Sequence, residues 1–129
     1  MTSTITPVDP PELPGNPAFA QGMILPAAPT LYVGGQNGVD ADGTLLDGLQ
    51  AQTEQALRNV LAVLAAAGSD ADHTAKLTIY LDPSVDPNPA YAASRAVWTA
   101  RTAVTVLSIA PARDGALVEI EAVATIPGA

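Results

Sequence analysis

There is no cysteine in this chain, one histidine, and one phenylalanine within an aromatic content of 4%. Without thiols there is no disulfide framework, no thiolate nucleophile and no cysteine-ligated zinc. The single His73 cannot build a histidine-rich metal site. Cations are scarce as well. Arg58, Lys76, Arg95, Arg101 and Arg113 stand against thirteen acids, for a net charge of -8. They are scattered, whereas a nucleic-acid backbone is held by clustered Lys and Arg, so RNA, DNA and anionic membranes are poor partners. No unbroken apolar run is long enough to span a bilayer. Met1–Asn16 lacks the basic region and apolar core of a secretory leader. The expectation is a soluble cytoplasmic protein.

What is present is a chain of 129 residues, enough for one domain with its own core. Hydrophobic residues make up 48% and charged residues only 14%, against a usual charged share near a quarter. That balance leaves more apolar surface than one core absorbs and favours a homo-oligomer. Residues 1–17 hold Pro7, Pro10, Pro11, Pro14 and Pro17. Such a stretch forms neither a helix nor a central strand, so it reads as an extended arm ahead of a single domain at 18–129.

Along that domain, Ala18–Leu25 reads as a strand, and Thr30–Val33 as a second ending at Gly34-Gly35. A glycine pair there marks a turn, or else a bulge or close backbone approach. Asp47 with Gln50 fits a capping box, opening a helix whose apolar face is Leu49, Thr53, Ala56, Leu57, Val60, Leu61, Leu64 and Ala65, with Gly68 as its C′ residue. Ala75–Leu81 alternates as a half-buried strand. Asn88-Pro89 reads as a cap followed by proline at the first helical position, and the helix runs from Ala90 to about Ala100 with Trp98 in the core. His73, at a loop-to-strand boundary, reads as a surface residue. Arg101–Val106 and Leu117–Ala124 are strands separated by the turn signal Pro111-Ala112-Arg113-Asp114-Gly115, which predicts a β-hairpin with a long loop. Pairing them would set the Arg101 guanidinium and the Glu119 carboxylate on one small sheet, an arrangement suited to reading an anion. The order of elements implies an α+β two-layer sandwich, a mixed sheet with two helices on one face. The strands are apolar on both faces, so the uncovered face is expected to meet copies of the same chain.

Several runs resemble the Rid or YjgF family of reactive intermediate deaminases. They are Leu31-Tyr32-Val33-Gly34-Gly35-Gln36, the helix pattern Gln52-Thr53-x-Gln55-Ala56-Leu57-x-Asn59-Val60, Lys76-Leu77-Thr78-Ile79-Tyr80-Leu81, Ala100 to Val106, and Val118-Glu119-Ile120-Glu121-Ala122. The resemblance extends from about Phe19 to Ile126. It implies a chorismate-mutase-like fold, a homotrimer, and clefts between subunits. There an enamine or imine such as 2-aminoacrylate or 2-iminopropionate is hydrolysed to a 2-keto acid and ammonia. Arg101 matches the family arginine, whose guanidinium grips a substrate carboxylate through two parallel hydrogen bonds. Glu119 matches the carboxylate that orients or deprotonates the attacking water. Glu121, on the same sheet face, is the second choice. Backbone groups near Gly35 would complete the pocket. No metal or organic cofactor is implied, because an activated imine is already electrophilic.

The departures from the family pattern are specific. Phe19 stands where deaminating members carry tyrosine, Gly34 where they carry serine, Ala103 where cysteine is common, and Ala92 near a family asparagine. The loop Ser108–Ala116 is longer than usual. The pocket keeps its cation and carboxylate and loses side-chain hydrogen-bonding groups, each worth roughly 1.5–3 kcal/mol to a charged ligand. This implies an altered, more apolar substrate range. Two other readings stay open: a regulatory trimer that binds a small carboxylate without turning it over, and a different reaction in the same cleft. The endoribonuclease role sometimes attached to the family name is disfavoured by the charge.

Overall fold

Leu57, Val60 and Leu64 are fully buried on one stripe of the long helix, and each contributes about 1.5–3 kcal/mol through burial. The structure, a computed structural model, describes residues 4–129, so the first three residues of the proline-rich arm lie outside it. That helix, α1, spans Leu49–Ala66. It ends as its glycine requires. Gly68 takes a φ of 82°, and Gly68 N donates to Ala65 O while Ser69 N donates to Leu64 O, a Schellman closure. Its start differs from expectation. The N-cap is Gly48 at φ 89° with no side-chain cap, so Asp47 and Gln50 form no capping box. Entry through a left-handed glycine moves the helix start one residue past the register that a box would need.

The strands are β1 (Thr6–Val8), β2 (Phe19–Ala20), β3 (Gly22–Ile24), β4 (Thr30–Asn37), β5 (Thr74–Leu81), β6 (Thr102–Ser108) and β7 (Val118–Thr125), and α2 (Pro87–Val97) follows β5. Five strands form a mixed sheet in the order β2-β6-β5-β7-β4, and β1 pairs with β3 in a separate ribbon. The expected first strand is therefore two pieces, broken at Gln21 and sent to different sheets. Within the arm, Pro7 sits opposite Met23 on a ribbon, an edge position that needs no proline N–H. In α2 the cap is Asp86, whose side chain accepts from Asn88 N at 3.0 Å, and Pro87 occupies the first turn. The Asn88-Pro89 expectation was two residues late.

The expected β6–β7 hairpin does not form. β5 lies between them, parallel to β6 and antiparallel to β7. The crossover through α2 places β6 on one side of β5, as a parallel pair requires. The connection to β7 then passes over the end of β5, where Ile109 N donates to Leu81 O at 2.9 Å and Asp82 N to Leu117 O at 3.0 Å. A loop that clears one intervening strand must span about 10 Å, which is why it is long.

Both helices cover one sheet face. Leu77, Leu81, Val118, Ile120, Ala122 and Val33 are buried beneath them. The opposite face carries Lys76, Thr78, Tyr80, Glu119 and Glu121 with Tyr32, which is 77% exposed. β2 pairs with β6 only at Thr102 and Ala103, leaving the outer edge of β6 from Val104 to Ser108 free of a partner strand among the described residues.

Candidate functional site

The glycine pair is a bulge with a purpose. β4 does not stop at Gly34 but continues to Asn37, with a register shift between Val33 and Gln36. A Cβ added at Gly35 would lie 1.9 Å from Glu119 Oε2 and 2.8 Å from its Cδ, so only glycine lets the Glu119 side chain lie across the strand. Gly34, next to it, is exposed and has open space around its Cα.

Glu119 opens into a cleft of about 220 Å³ lined by Gly35, Tyr80, Glu121 and the Ile109–Ala112 loop. Glu119 and Glu121 share this face, as their spacing requires. Their situations differ. The Tyr80 hydroxyl donates to Glu121, so that carboxylate is engaged. The same bond, followed by burial and the charges of Glu121 and Glu119, raises the Tyr80 pKa above the ordinary phenol value. Tyr80 therefore stays protonated beside the two acids.

Three buried or half-buried amides hold this end of the sheet. Asn59 donates from Nδ2 to Asn37 O at 3.1 Å and Val39 O at 2.9 Å, and Gln55 donates to Asn59 Oδ1. Gln52, 2% exposed, donates to Leu46 O and Gly115 O and accepts from Leu117 N at 2.8 Å. It thereby fixes the start of β7, two residues before Glu119. Sequence reasoning used Gln52, Gln55 and Asn59 only as part of the family helix pattern and gave them no structural role. The available signal was their spacing, which sets all three amides on neighbouring turns of one helix.

The other expected residues gather at the far end. Arg101 immediately precedes β6. It donates to Asp9 from Nη1, and from Nη2 to Asn16 O and Phe19 O, both at 3.1 Å. The bond from Arg101, then that from Gln21 N, holds the Asp9 carboxyl below its ordinary value, and Asp9 in turn raises Arg101. Ala103 pairs with Lys76 and Ala20, on the face away from the helices. Phe19 faces the helix layer, edge-on to Tyr91 with ring centroids 5.9 Å apart. With Trp98 and Val104 it lines an apolar cavity of about 390 Å³ between α2 and the sheet. Trp98 is buried, its indole donating to Thr102 Oγ1, which makes it a core residue as expected. His73 sits at a turn against Asp70. Ala92 is exposed on α2.

Gly35 and Glu119 are thus brought together, while Arg101, Phe19 and Ala103 are not brought to them. Ala103 is level with Lys76 and Glu119 with Tyr80, which puts Arg101 and Glu119 about six residues apart along the strands, on the order of 20 Å. No small substrate touches both within one copy of the chain. The guanidinium and the carboxylate can share a ligand only across two copies.

The family model described as Endoribonuclease L-PSP matches residues 14–126. The chain is 32% identical over 134 residues to the protein named mmf1, mitochondrial, of Schizosaccharomyces pombe, covering 95% of this chain and 76% of that one. Its fold is similar to the Rid-family protein YyfB of Yersinia pestis, of unknown function, with a TM-score of 0.81, 26% identity, and 95% and 98% of the two chains covered. It is also similar to RidA of an Antarctic Psychrobacter, with a TM-score of 0.71, 26% identity, and 88% and 92% covered.

Proposed function

The chain belongs to the Rid/YjgF family, whose model carries the endoribonuclease L-PSP name, and from that membership we propose that it is an enamine/imine deaminase working as a homotrimer in a cytoplasmic setting. The observation that carries this reading is the Glu119 carboxylate laid across Gly35 in an open cleft. A glycine that makes room for an acid beside a cleft suits a base that needs freedom to meet water. In the trimer, Arg101 of one subunit and Glu119 of the partner subunit face one substrate.

The chemistry uses only these groups and water. An enamine takes a proton at carbon to become the imine. Arg101 holds its carboxylate, which fixes the imine carbon. Glu119 accepts a proton from water as the oxygen attacks that carbon, giving a carbinolamine. The nitrogen takes up a proton and leaves as ammonia as the C–N bond breaks, and the hydroxyl loses its proton to become the keto oxygen. Water and imine in, ammonia and 2-keto acid out, with Glu119 returned to its starting state. The apolar Ala103, on the Arg101 side of the sheet, suits a less polar side chain on the substrate.

A non-catalytic, carboxylate-binding trimer is the second reading, favoured by the lost hydroxyl and thiol positions at Phe19, Gly34 and Ala103. Nuclease action has less support. Arg58 lies 3.9 Å from Glu54, Arg113 donates to Gly43 O and Lys76 to Thr105, so the cations are dispersed and engaged rather than gathered into a backbone-binding track. The test is ammonia release from freshly generated 2-aminoacrylate and from imines of bulkier amino acids. Acceleration by the wild type, lost in Arg101→Ala, is the expected result. No acceleration over buffer with any imine would shift the assignment to the binding trimer.

A further inference from the structure

The guanidinium assigned to the substrate carboxylate already holds a carboxylate. Asp9, from the proline-rich arm, occupies Nη1 of Arg101, and the carbonyls of Asn16 and Phe19 occupy Nη2. A guanidinium carries five N–H groups in a rigid fork. It offers two faces for a two-bond grip, Nε with Nη2 at the side and Nη1 with Nη2 at the end. Both include Nη2, and both Nη2 hydrogens are committed to carbonyls. With the arm in this position, neither face is open to an incoming carboxylate.

Asp9 is held in place from its own side. Its Oδ1 accepts from Gln21 N at 2.9 Å, and Gln21 Nε2 donates to Pro14 O at 3.0 Å. The arm is thus looped back on Arg101 by polar contacts. Little apolar burial supports it. Thr6–Val8 is exposed throughout, and Val8 and Leu13 are 42% and 48% exposed. The Arg101 side chain remains 35% exposed, so the contact lies where solutes reach it. A segment fastened by one ion pair, a few carbonyls and a three-residue ribbon belongs to the low-stability end of a fold.

We propose that Asp9 is a specificity-determining residue of the Arg101 site, an internal carboxylate that a substrate carboxylate must displace before it is gripped. This rests on the reading of Arg101 as the carboxylate anchor. Displacement swaps one carboxylate for another at the guanidinium, so the site's net charge is unchanged. The ligand must outcompete a group tethered beside it. Apparent affinity is then multiplied by the fraction of molecules with the arm lifted. A protein with about nine in ten arms closed binds roughly tenfold more weakly than one with none. Ligands with a single weak anionic contact are excluded, and those that use both guanidinium faces or add apolar contacts at Ala103 are favoured.

The experiment compares full-length wild type with Asp9→Asn, Asp9→Ala and Asp9→Glu. It measures KM and kcat for a freshly generated imine and the Kd for pyruvate by calorimetry. Asp9→Asn removes the charge while keeping the shape, and it is expected to lower KM and Kd by about tenfold with kcat within about twofold. Asp9→Ala should behave alike, and Asp9→Glu should stay nearer the wild type. The two neutral variants protect the test against one failing to fold. Unchanged or weaker pyruvate binding in both would overturn the proposal. So would a fall in kcat at constant KM, which would make Asp9 a support that orients Arg101. Arg101→Ala separates the two ideas. If it abolishes pyruvate binding while the Asp9 variants change nothing, the anchor reading stands and the Asp9 proposal falls. If Arg101→Ala binds pyruvate as the wild type does, both fall.

Discussion

Gly35→Ala is the sharpest test of the cleft, because the added methyl has one place to go. Its Cβ would lie 1.9 Å from Glu119 Oε2, and ordinary contact begins near 3.4 Å. The carboxylate must therefore retreat by about 1.5 Å. What is displaced is the end of a flexible side chain, so the fold adjusts at little cost. Gly35 is also absent from the positive-φ glycines, so alanine is not strained there and its reduced freedom in the unfolded chain offsets part of any loss. A misplacement of about 1 Å in a catalytic group costs on the order of a hundredfold. The expectation is kcat/KM for imine hydrolysis down about a hundredfold with the melting temperature nearly unchanged. Gly38→Ala is the contrast. There the Cβ would meet Gln52 Cα at 2.3 Å, on the helix backbone, which cannot swing aside. It should cost about 1–3 kcal/mol of stability. Ammonia release and thermal melts on both variants decide the matter. In a Glu119→Ala background, Gly35→Ala should add no further loss. Full activity in Gly35→Ala, or a drop in melting temperature matching that of Gly38→Ala, would refute the argument.

Three further outcomes are expected. Gln52→Ala strands the Leu117 N–H and the Leu46 and Gly115 carbonyls, so urea denaturation should show a loss of at least about 2 kcal/mol. The Asp9 carboxyl is held below its ordinary 3.8 in the folded state. Its contribution is therefore present above that value and lost as pH falls through the lower folded one. Limited proteolysis or hydrogen exchange should find the arm protected at pH 5–7 and released only well below the ordinary carboxyl value of 3.8, and equal protection throughout would contradict the assignment. Sedimentation should give a trimer. A stable monomer at micromolar concentration would leave Arg101 and Glu119 on separate molecules with no shared cleft.

Local pattern was enough for α1, for the Ala75–Leu81 strand and for Trp98 in the core, because 3.6- and 2-residue periods report which side of an element is buried. Pattern does not report which strand lies beside which. The apolar faces of β6 and β7 suit a hairpin as well as they suit flanking β5, and only the crossover through α2 decides between them. Caps failed in a similar way. Asp47 and Asn88 carry side chains able to cap, but the backbone turned at Gly48 and Asp86 instead. At the site, Gly35 could be flagged from local pattern, but its partner Glu119 only through the family resemblance, since it arrives from a strand 84 residues on. Asp9 was hidden for the same reason. Its meeting with Arg101 joins positions 92 residues apart, and nothing in a proline-rich arm points to one particular cation.

The edge of β6, without a partner strand beyond Ala103 among the described residues, has a consequence during synthesis. Thr102–Ser108 contains no charge and no proline, and it continues into Ile109 with Val106, Leu107 and Ile109 at 53%, 43% and 54% exposure. Edge strands are normally guarded by such residues, and a seven-residue β-rich window without them is a template for cross-β stacking. A newly made chain is therefore in a race between folding and growing sheet-to-sheet aggregates. Substitutions that slow folding should first appear as insoluble protein at high expression, well before any loss of folded-state stability can be measured.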